Sequence, residues 1–284
     1  MTPVAKLIKI RLGFVFGIFL AGGDKRIKVM DYSTIIFTLK DHVARITLNR
    51  PEADNTLNQQ LIQELEDICS SINQADNIHV VILSGAGDRA FCVGSEDDAK
   101  SFLPLSALPG MNAAAAIASI NQPVIAAING DALGPGLELT LSCDIRLAAP
   151  GARFGLPEVA AGLIPMCGGT QRLPRLIGRG KALELILTAE TINAEEALKI
   201  GLVSRIVPQP ELMAEAEALA RNIAGKAPIA LRYIKEAVNQ GMDLTLEQGL
   251  HLEADLYFLL HTTSDRTEGV KAFLEKRVAR FQGK

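Results

Sequence analysis

The stretch from Pro123 to Pro174 constrains this chain more than any other. An apolar, β-branched segment from Pro123 to Asn129 stops at Gly130. A glycine-rich turn, Gly134-Pro135-Gly136, then opens a second apolar segment from Leu137 to Cys143. A short buried run, a glycine turn and a further apolar run predict strand, turn and helix in that order. The start of a helix carries backbone N–H groups without intrahelical partners, and these can hold negative charge. Glu138 falls one turn inside the predicted helix, and Glu158 follows after the strand-like segment DIRLAA and a turn. Two carboxylates therefore flank a potential anion-binding turn.

That pattern suits the addition of water across a carbon–carbon double bond conjugated to a thioester. The reaction builds negative charge on the thioester oxygen, takes one proton from water and delivers one to carbon. Backbone donors aimed at the oxygen and two carboxylates beside the water would fill these roles.

The residues resemble the enoyl-CoA hydratase/isomerase (crotonase) superfamily. The matching segments are ITLNRPEADNTLN (Ile46 to Asn58), AFCVGSEDD (Ala90 to Asp98), IAAINGDALGPGLEL (Ile125 to Leu139), FGLPE (Phe154 to Glu158), GGTQRLPRLIG (Gly168 to Gly178) and AFLEKR (Ala272 to Arg277). They follow the family's order from about residue 31 to residue 284, and the hydratase branch is favoured because both of its glutamates are matched. The resemblance implies an α/β fold, a crotonase-like spiral of ββα repeats with a C-terminal helical oligomerisation region. The division it implies is an N-terminal extension at 1–30, a spiral core at 31–225 and a helical trimerisation region at 226–284.

Composition sets outer bounds. With 284 residues, 48% of them hydrophobic, the chain can bury a large core. A net charge of −3 gives no electrostatic reason to expect nucleic acid or an anionic membrane as partner. Cys69, Cys92, Cys143 and Cys167 lie far apart, so neither a zinc site nor a disulfide framework is indicated. Cys92 and Cys167 read as small apolar fillers of motif loops, and a reducing compartment is expected. His42, His79, His251 and His261 show no grouping that would make a metal site or a triad. No dinucleotide-binding or P-loop glycine pattern is present, which argues against a nucleotide redox enzyme or an NTPase.

Residues 1–30 carry Lys6, Lys9 and Arg11 ahead of an apolar run from Leu12 to Ala21 that is short for a membrane span. Three readings stay open: an extension upstream of a start at Met30, a targeting segment, or a structural element. Cytoplasmic localisation is expected, or the mitochondrial matrix if the segment is a targeting signal.

Further along, alternation over Tyr32 to Leu39 and Val43 to Leu48 predicts a hairpin around Lys40-Asp41-His42. Apolar spacing predicts a helix over Asn58 to Ile72, and His79 to Leu83 reads as a buried strand. A helix is expected around Met111 to Ile120. From Asn193 onward helices are expected at Ala194 to Ile200, Pro208 to Ala224, Ala227 to Asn239, Thr245 to His261 and Thr267 to Phe281. The apolar residues of the 245–261 helix spread around several faces, which calls for cover beyond one core. In the resembled family this region builds trimers, commonly paired into hexamers.

By the same resemblance, Glu158 handles the proton at the carbon beside the thioester carbonyl and Glu138 activates water. Two carboxylates sharing such a pocket predict one raised pKa. Ser95, next to Gly94, supplies one oxyanion N–H. The second comes, in the family, from a glycine at the position of Pro135, and proline has no N–H. Proline is well suited to a first helical position, so the fold accepts it. The compensating donor would be Gly136 N–H, water or another group, with Gly134 forming part of the turn. Arg50 and Ala53 lie in the loop that borders coenzyme A in relatives. Phe273 and Lys276 match residues that reach coenzyme A, often from a neighbouring subunit. Gly168 and Gly169 would let a helix start approach the acyl pocket. No metal or cofactor is expected, since the substrate carries its own coenzyme A, and the partners expected are an acyl-CoA thioester and further copies of this chain.

Overall fold

The computed structural model describes residues 32–96 and 110–284. The reading of residues 1–30 lies outside the described residues. A hairpin opens the described chain: β1 (Ile35–Lys40) runs antiparallel to β2 (Val43–Leu48), with Lys40 opposite Val43. Asp41 and His42 make the two-residue turn with φ of 49° and 66°, the left-handed pair whose twist matches a tight hairpin.

β2 then pairs in parallel with β3 (Val80–Gly85), β3 with β5 (Val124–Ile128), β5 with β7 (Ile145–Ala148) and β7 with β10 (Arg205–Ile206). The result is a six-stranded sheet in the order β1-β2-β3-β5-β7-β10. Its central strands read as unbroken apolar runs because both faces are buried. Val81, Leu83, Val124 and Ala126 join the main core, while Val80, Ile82, Ile125 and Ala127 pack against Leu212, Ala216 and Ala220 of α7 (Leu212–Ala224).

Short strands leave this sheet to build a second one. β4 (Ala90–Val93), β6 (Asp131–Leu133), β8 (Arg153–Gly155) and β9 (Ile192–Asn193) form a four-stranded sheet in that order. Helices follow the strand pairs: α1 (Gln59–Asn73) after β1 and β2, α2 (Gly110–Ala118) after β3 and β4, α3 (Pro135–Leu141) after β5 and β6, and α4 (Gly169–Ile177) after β7 and β8. This is the expected spiral of ββα units. Asn58 caps α1, its side chain accepting from Leu61 N at 2.9 Å, which sets the helix start one residue later than the spacing predicts.

The remaining helices are α5 (Arg179–Thr188), α6 (Ala194–Lys199), α8 (Pro228–Gly241), α9 (Leu246–Leu260) and α10 (Ser264–Leu274). Thr245 starts α9 with a capping box completed by Gln248. α10 ends at Leu274 rather than Phe281. The chain turns at Lys276, with φ of 53°, and doubles back so that Gln282 N and Gly283 N donate to the Asp265 carboxylate, each at 2.7 Å. The first turn of α10 thus takes the segment that the apolar spacing assigned to a longer helix.

Two of the histidines are closer than the sequence suggests. His42 and His79 stack with ring centroids 4.3 Å apart, tying the hairpin turn to the start of β3. Among the described residues no group of three His, Cys, Asp or Glu side chains is placed to hold a metal ion, and no helix is long and apolar enough to cross a membrane.

Candidate active site

Three neighbouring strands end side by side. In the parallel run β4-β6-β8, Val93 pairs with Leu133, and Leu133 pairs with Gly155. The chain beyond each strand carries one part of the candidate site: Gly94-Ser95 after β4, Gly134-Pro135-Gly136 after β6, and Leu156-Pro157-Glu158 after β8. The carboxyl ends of parallel strands are where open α/β sheets place their ligands.

Local hydrogen bonds orient the Ser95 peptide. Gly94, at φ of 74°, donates its N–H to Leu133 O at 3.2 Å while its carbonyl accepts from Leu57 N at 3.1 Å. The Gly94–Ser95 peptide is planar and trans, so the Ser95 N–H points opposite to that carbonyl. It therefore faces away from Leu57. Glu96 N donates back to Leu57 O at 2.9 Å, closing a one-residue bridge between Leu57 and Ser95.

The Arg50 side chain, 18% exposed, braces the same bridge from within the chain. Its guanidinium donates to Thr56 O and pairs with Glu96, and Thr56 Oγ1 donates to Val93 O at 2.7 Å. Arg50, expected to border coenzyme A, is engaged inside the protein. Ala53 sits behind it in a 3-10 turn (Pro51–Ala53) and accepts from Thr56 N at 2.9 Å. Asp54 pairs with Arg89.

The turn after β6 has a different character. Gly134 adopts φ of 56° and ψ of −128°, a conformation that suits glycine, and its N–H is spent on Gly155 O at 2.9 Å. Pro135 opens α3 and has no N–H. Gly136 is pressed against β4: a Cβ on it would lie 1.9 Å from Cys92 O, so the close approach of helix and strand requires glycine. A Cβ on Gly134 would lie 3.2 Å from Glu158 Oε1, which places the Glu158 carboxylate directly over the turn.

Glu138 stands one turn further on, 1% exposed, its own N–H donating to Gly134 O at 3.1 Å. Its Oε1 accepts two backbone hydrogen bonds, from Cys167 N at 2.8 Å and Gly169 N at 2.6 Å. Oε2 is buried and has no hydrogen-bond partner among the described residues, which leaves it to receive a further donor. The carboxyl's pKa is raised, burial being the leading cause and the two N–H groups and Arg172 pulling the other way. Gly134 thus lies between the two acids, with Glu158 Oε1 over the side of the turn where a Cβ would stand and the Glu138 N–H bonded to its carbonyl.

Sequence reasoning missed the grip on Glu138. Gly168 caps α4 at φ of 111°, and Gly169 begins the helix with its N–H on Oε1. A Cβ on Gly169 would stand 2.9 Å from Leu156 and Pro165 atoms and 3.0 Å from Glu138 Oε1. The signal was the doubled glycine before a helix, where exposed N–H groups seek a carboxylate. Cys167 contributes its backbone N–H, and its side chain, also hydrogen-bonded to the Glu138 carboxyl, acts on that group in the same direction. The thiols of Cys69, Cys92 and Cys143 are pushed up to about 12 by burial, which makes them poor nucleophiles. Among the described residues, Phe273, 82% exposed on α10, and Lys276, just past its end, make no hydrogen bond or ion pair to the three strand ends.

Comparison with known proteins places the sequence and its fold. The family model for enoyl-CoA hydratase/isomerase matches residues 38–284. The crotonyl-CoA hydratase of Syntrophomonas wolfei is 41% identical over 262 residues, covering 90% of this chain and 100% of that protein. The short-chain-enoyl-CoA hydratase of Clostridium acetobutylicum is 39% identical over 253 residues, covering 87% of this chain and 97% of that one. The crystal structure of an enoyl-CoA hydratase from Bacillus anthracis superimposes with a TM-score of 0.82 at 43% identity, covering 92% of this chain and 100% of that chain. With a match across nearly all of the described fold, the chain belongs to the enoyl-CoA hydratase/isomerase family.

Proposed function

We propose that the protein is an enoyl-CoA hydratase that reversibly adds water to a short 2-enoyl-CoA, giving a 3-hydroxyacyl-CoA. The observation that carries this reading is the disposition of the acids around Gly134: Glu158 Oε1 lies 3.2 Å from where a Cβ on Gly134 would stand, and Glu138, one turn away, presents a buried Oε2 with no hydrogen-bond partner among the described residues. In the proposed reaction Glu138, ionised, takes a proton from water as the water oxygen bonds to the β-carbon. Electrons move onto the thioester oxygen, where Ser95 N–H receives the charge, and Glu158 delivers its proton to the α-carbon as the enolate collapses. The acids therefore start in opposite protonation states. Coenzyme A belongs to the substrate, and the scheme uses no metal or redox cofactor.

The names of the relatives support a short acyl chain, and the bacterial relatives support a cytoplasmic setting. Assembly into a trimer or hexamer is supported by the outer faces of α8, α9 and α10. Leu246 is 81% exposed and Phe258 68%, with Ile234, Val238, Leu250 and Leu274 also uncovered.

One observation favours a second reading, acyl-CoA binding without turnover: Gly134 N–H is spent and Pro135 has none, so the turn is poor in donors. Incubation with short and medium 2-enoyl-CoAs tests hydration through loss of the conjugated-thioester absorbance. Intact absorbance across the panel contradicts the proposal. Glu138→Gln should lower hydration by about 10²–10⁴, whereas an isomerase working through Glu158 alone would keep most of its rate.

A further inference from the structure

Arg172 lies in the second turn of the doubly glycine-started helix, and its side chain folds back over the helix cap instead of outward. Its Nη1 donates to Cys167 O at 2.8 Å, and its own N–H donates to Gly168 O at 2.7 Å. A Cβ on Gly168 would lie 2.1 Å from that Nη1, so only glycine lets the guanidinium lie across the cap. The residue whose carbonyl it holds is the residue whose N–H grips Glu138 Oε1. Arg50, Arg89, Arg153, Arg175, Arg205, Arg221 and Arg277 each meet a carboxylate, but Arg172 makes no ion pair among the described residues. Its charge therefore acts on what lies behind the clamp.

We propose that Arg172 is a positioning residue for Glu138: anchored on Cys167 O, it fixes the 167–169 backbone whose two N–H groups hold Glu138 and sets a positive charge behind that carboxylate. The inference rests on Glu138 acting as the base of the proposed hydration. The groups packed around Glu138 are consistent with this role. Cys167 and Cys92 are buried thiols, Glu158 lies across Gly134, and Asp131 on β6 is turned onto Arg153. The described side chains of α2, residues 113–118, include nothing titratable. Arg172 is thus the cation that opposes the burial which raises the Glu138 pKa.

A base must be ionised to act, so losing the cation moves the acid limb of kcat to higher pH. In Arg172→Met, kcat at the pH of the wild-type half-maximum should fall about tenfold, as expected for removal of one nearby opposite charge. KM should hold and the high-pH plateau should be largely kept. Arg172→Lys retains charge and a donor, and should keep the wild-type limb. A loss in Arg172→Met that is equal at every pH, or an equal loss in Arg172→Lys, overturns the proposal. The Glu138 carboxyl is also read without turnover, by infrared titration of the protonated C=O band that is absent in Glu138→Gln. That band should persist to higher pH in Arg172→Met, and an unmoved titration overturns the proposal even if no hydration is found. A chain that fails to hydrate yet shows the moved titration refutes the hydratase reading and keeps the positioning role.

Discussion

Replacing Pro135 by alanine separates what the fold needs at this position from what the chemistry needs. Gly134 N–H is committed to Gly155 O at 2.9 Å and Pro135 contributes none, so the first two residues of the turn offer the thioester oxygen no donor. Alanine can occupy the first position of α3 and restores an N–H there, with Gly134 left untouched. Loss of one oxyanion donor typically lowers kcat by about 10²–10³, or about 2.7–4 kcal/mol, so restoration has the same ceiling. The cost to stability is separate. The proline ring is buried, and removing two methylenes loses about 0.8 kcal/mol each, with about 0.4–1 kcal/mol more from the looser unfolded chain. The variant should therefore melt several degrees lower while turning over a short enoyl-CoA at least about tenfold faster, measured as initial loss of conjugated-thioester absorbance at saturating substrate. An unchanged or lower kcat in a variant that shows the expected melting shift would refute the reasoning. An inert wild type beside an active variant would establish the second reading, binding without turnover.

The kcat profile should lose activity toward acid through a midpoint above the ordinary glutamate value of about 4.3, because burial raises the pKa of a base that must be ionised; a midpoint at or below that value contradicts the role given to Glu138. Gly136→Ala forces a Cβ to within 1.9 Å of Cys92 O, a backbone atom that cannot swing aside. It should cost about 1–3 kcal/mol or more in urea unfolding, whereas Gly151→Ala, with open space around it, should cost little. Phe258→Asp should lower the assembly state in sedimentation if the exposed face of α9 joins copies of this chain, and an unchanged sedimentation profile argues against that face.

Much of the fold was legible because its signals are local. The apolar runs of β3 and β5, the Asp41-His42 turn, the apolar stripe of α1 and the Thr245 start of α9 are each written in a few consecutive residues. α5 was not read: Ala182 and Leu185 are buried while Leu183 and Leu187 are exposed, so no single stripe marks the helix. The two-residue strands β9 and β10 carry almost no pattern of their own and exist through pairing to β8 and β7. At the site, both acids and the glycine turn were visible as types and spacing. The grip on Glu138 was not, because Cys167, Gly169 and Arg172 act through backbone groups and a folded-back side chain. Arg50 shows the opposite case: the family resemblance placed it in a loop bordering coenzyme A, and its neighbours Thr56 and Glu96 engage it within the protein.

A crystal structure with a 3-hydroxyacyl-CoA bound tests the central claim most directly. The account places the thioester oxygen about 2.7–3.1 Å from Ser95 N, with the 3-hydroxyl against Glu138 Oε2 and the α-carbon facing Glu158. A thioester oxygen turned away from Ser95, or a 3-hydroxyl out of reach of Glu138, would contradict it.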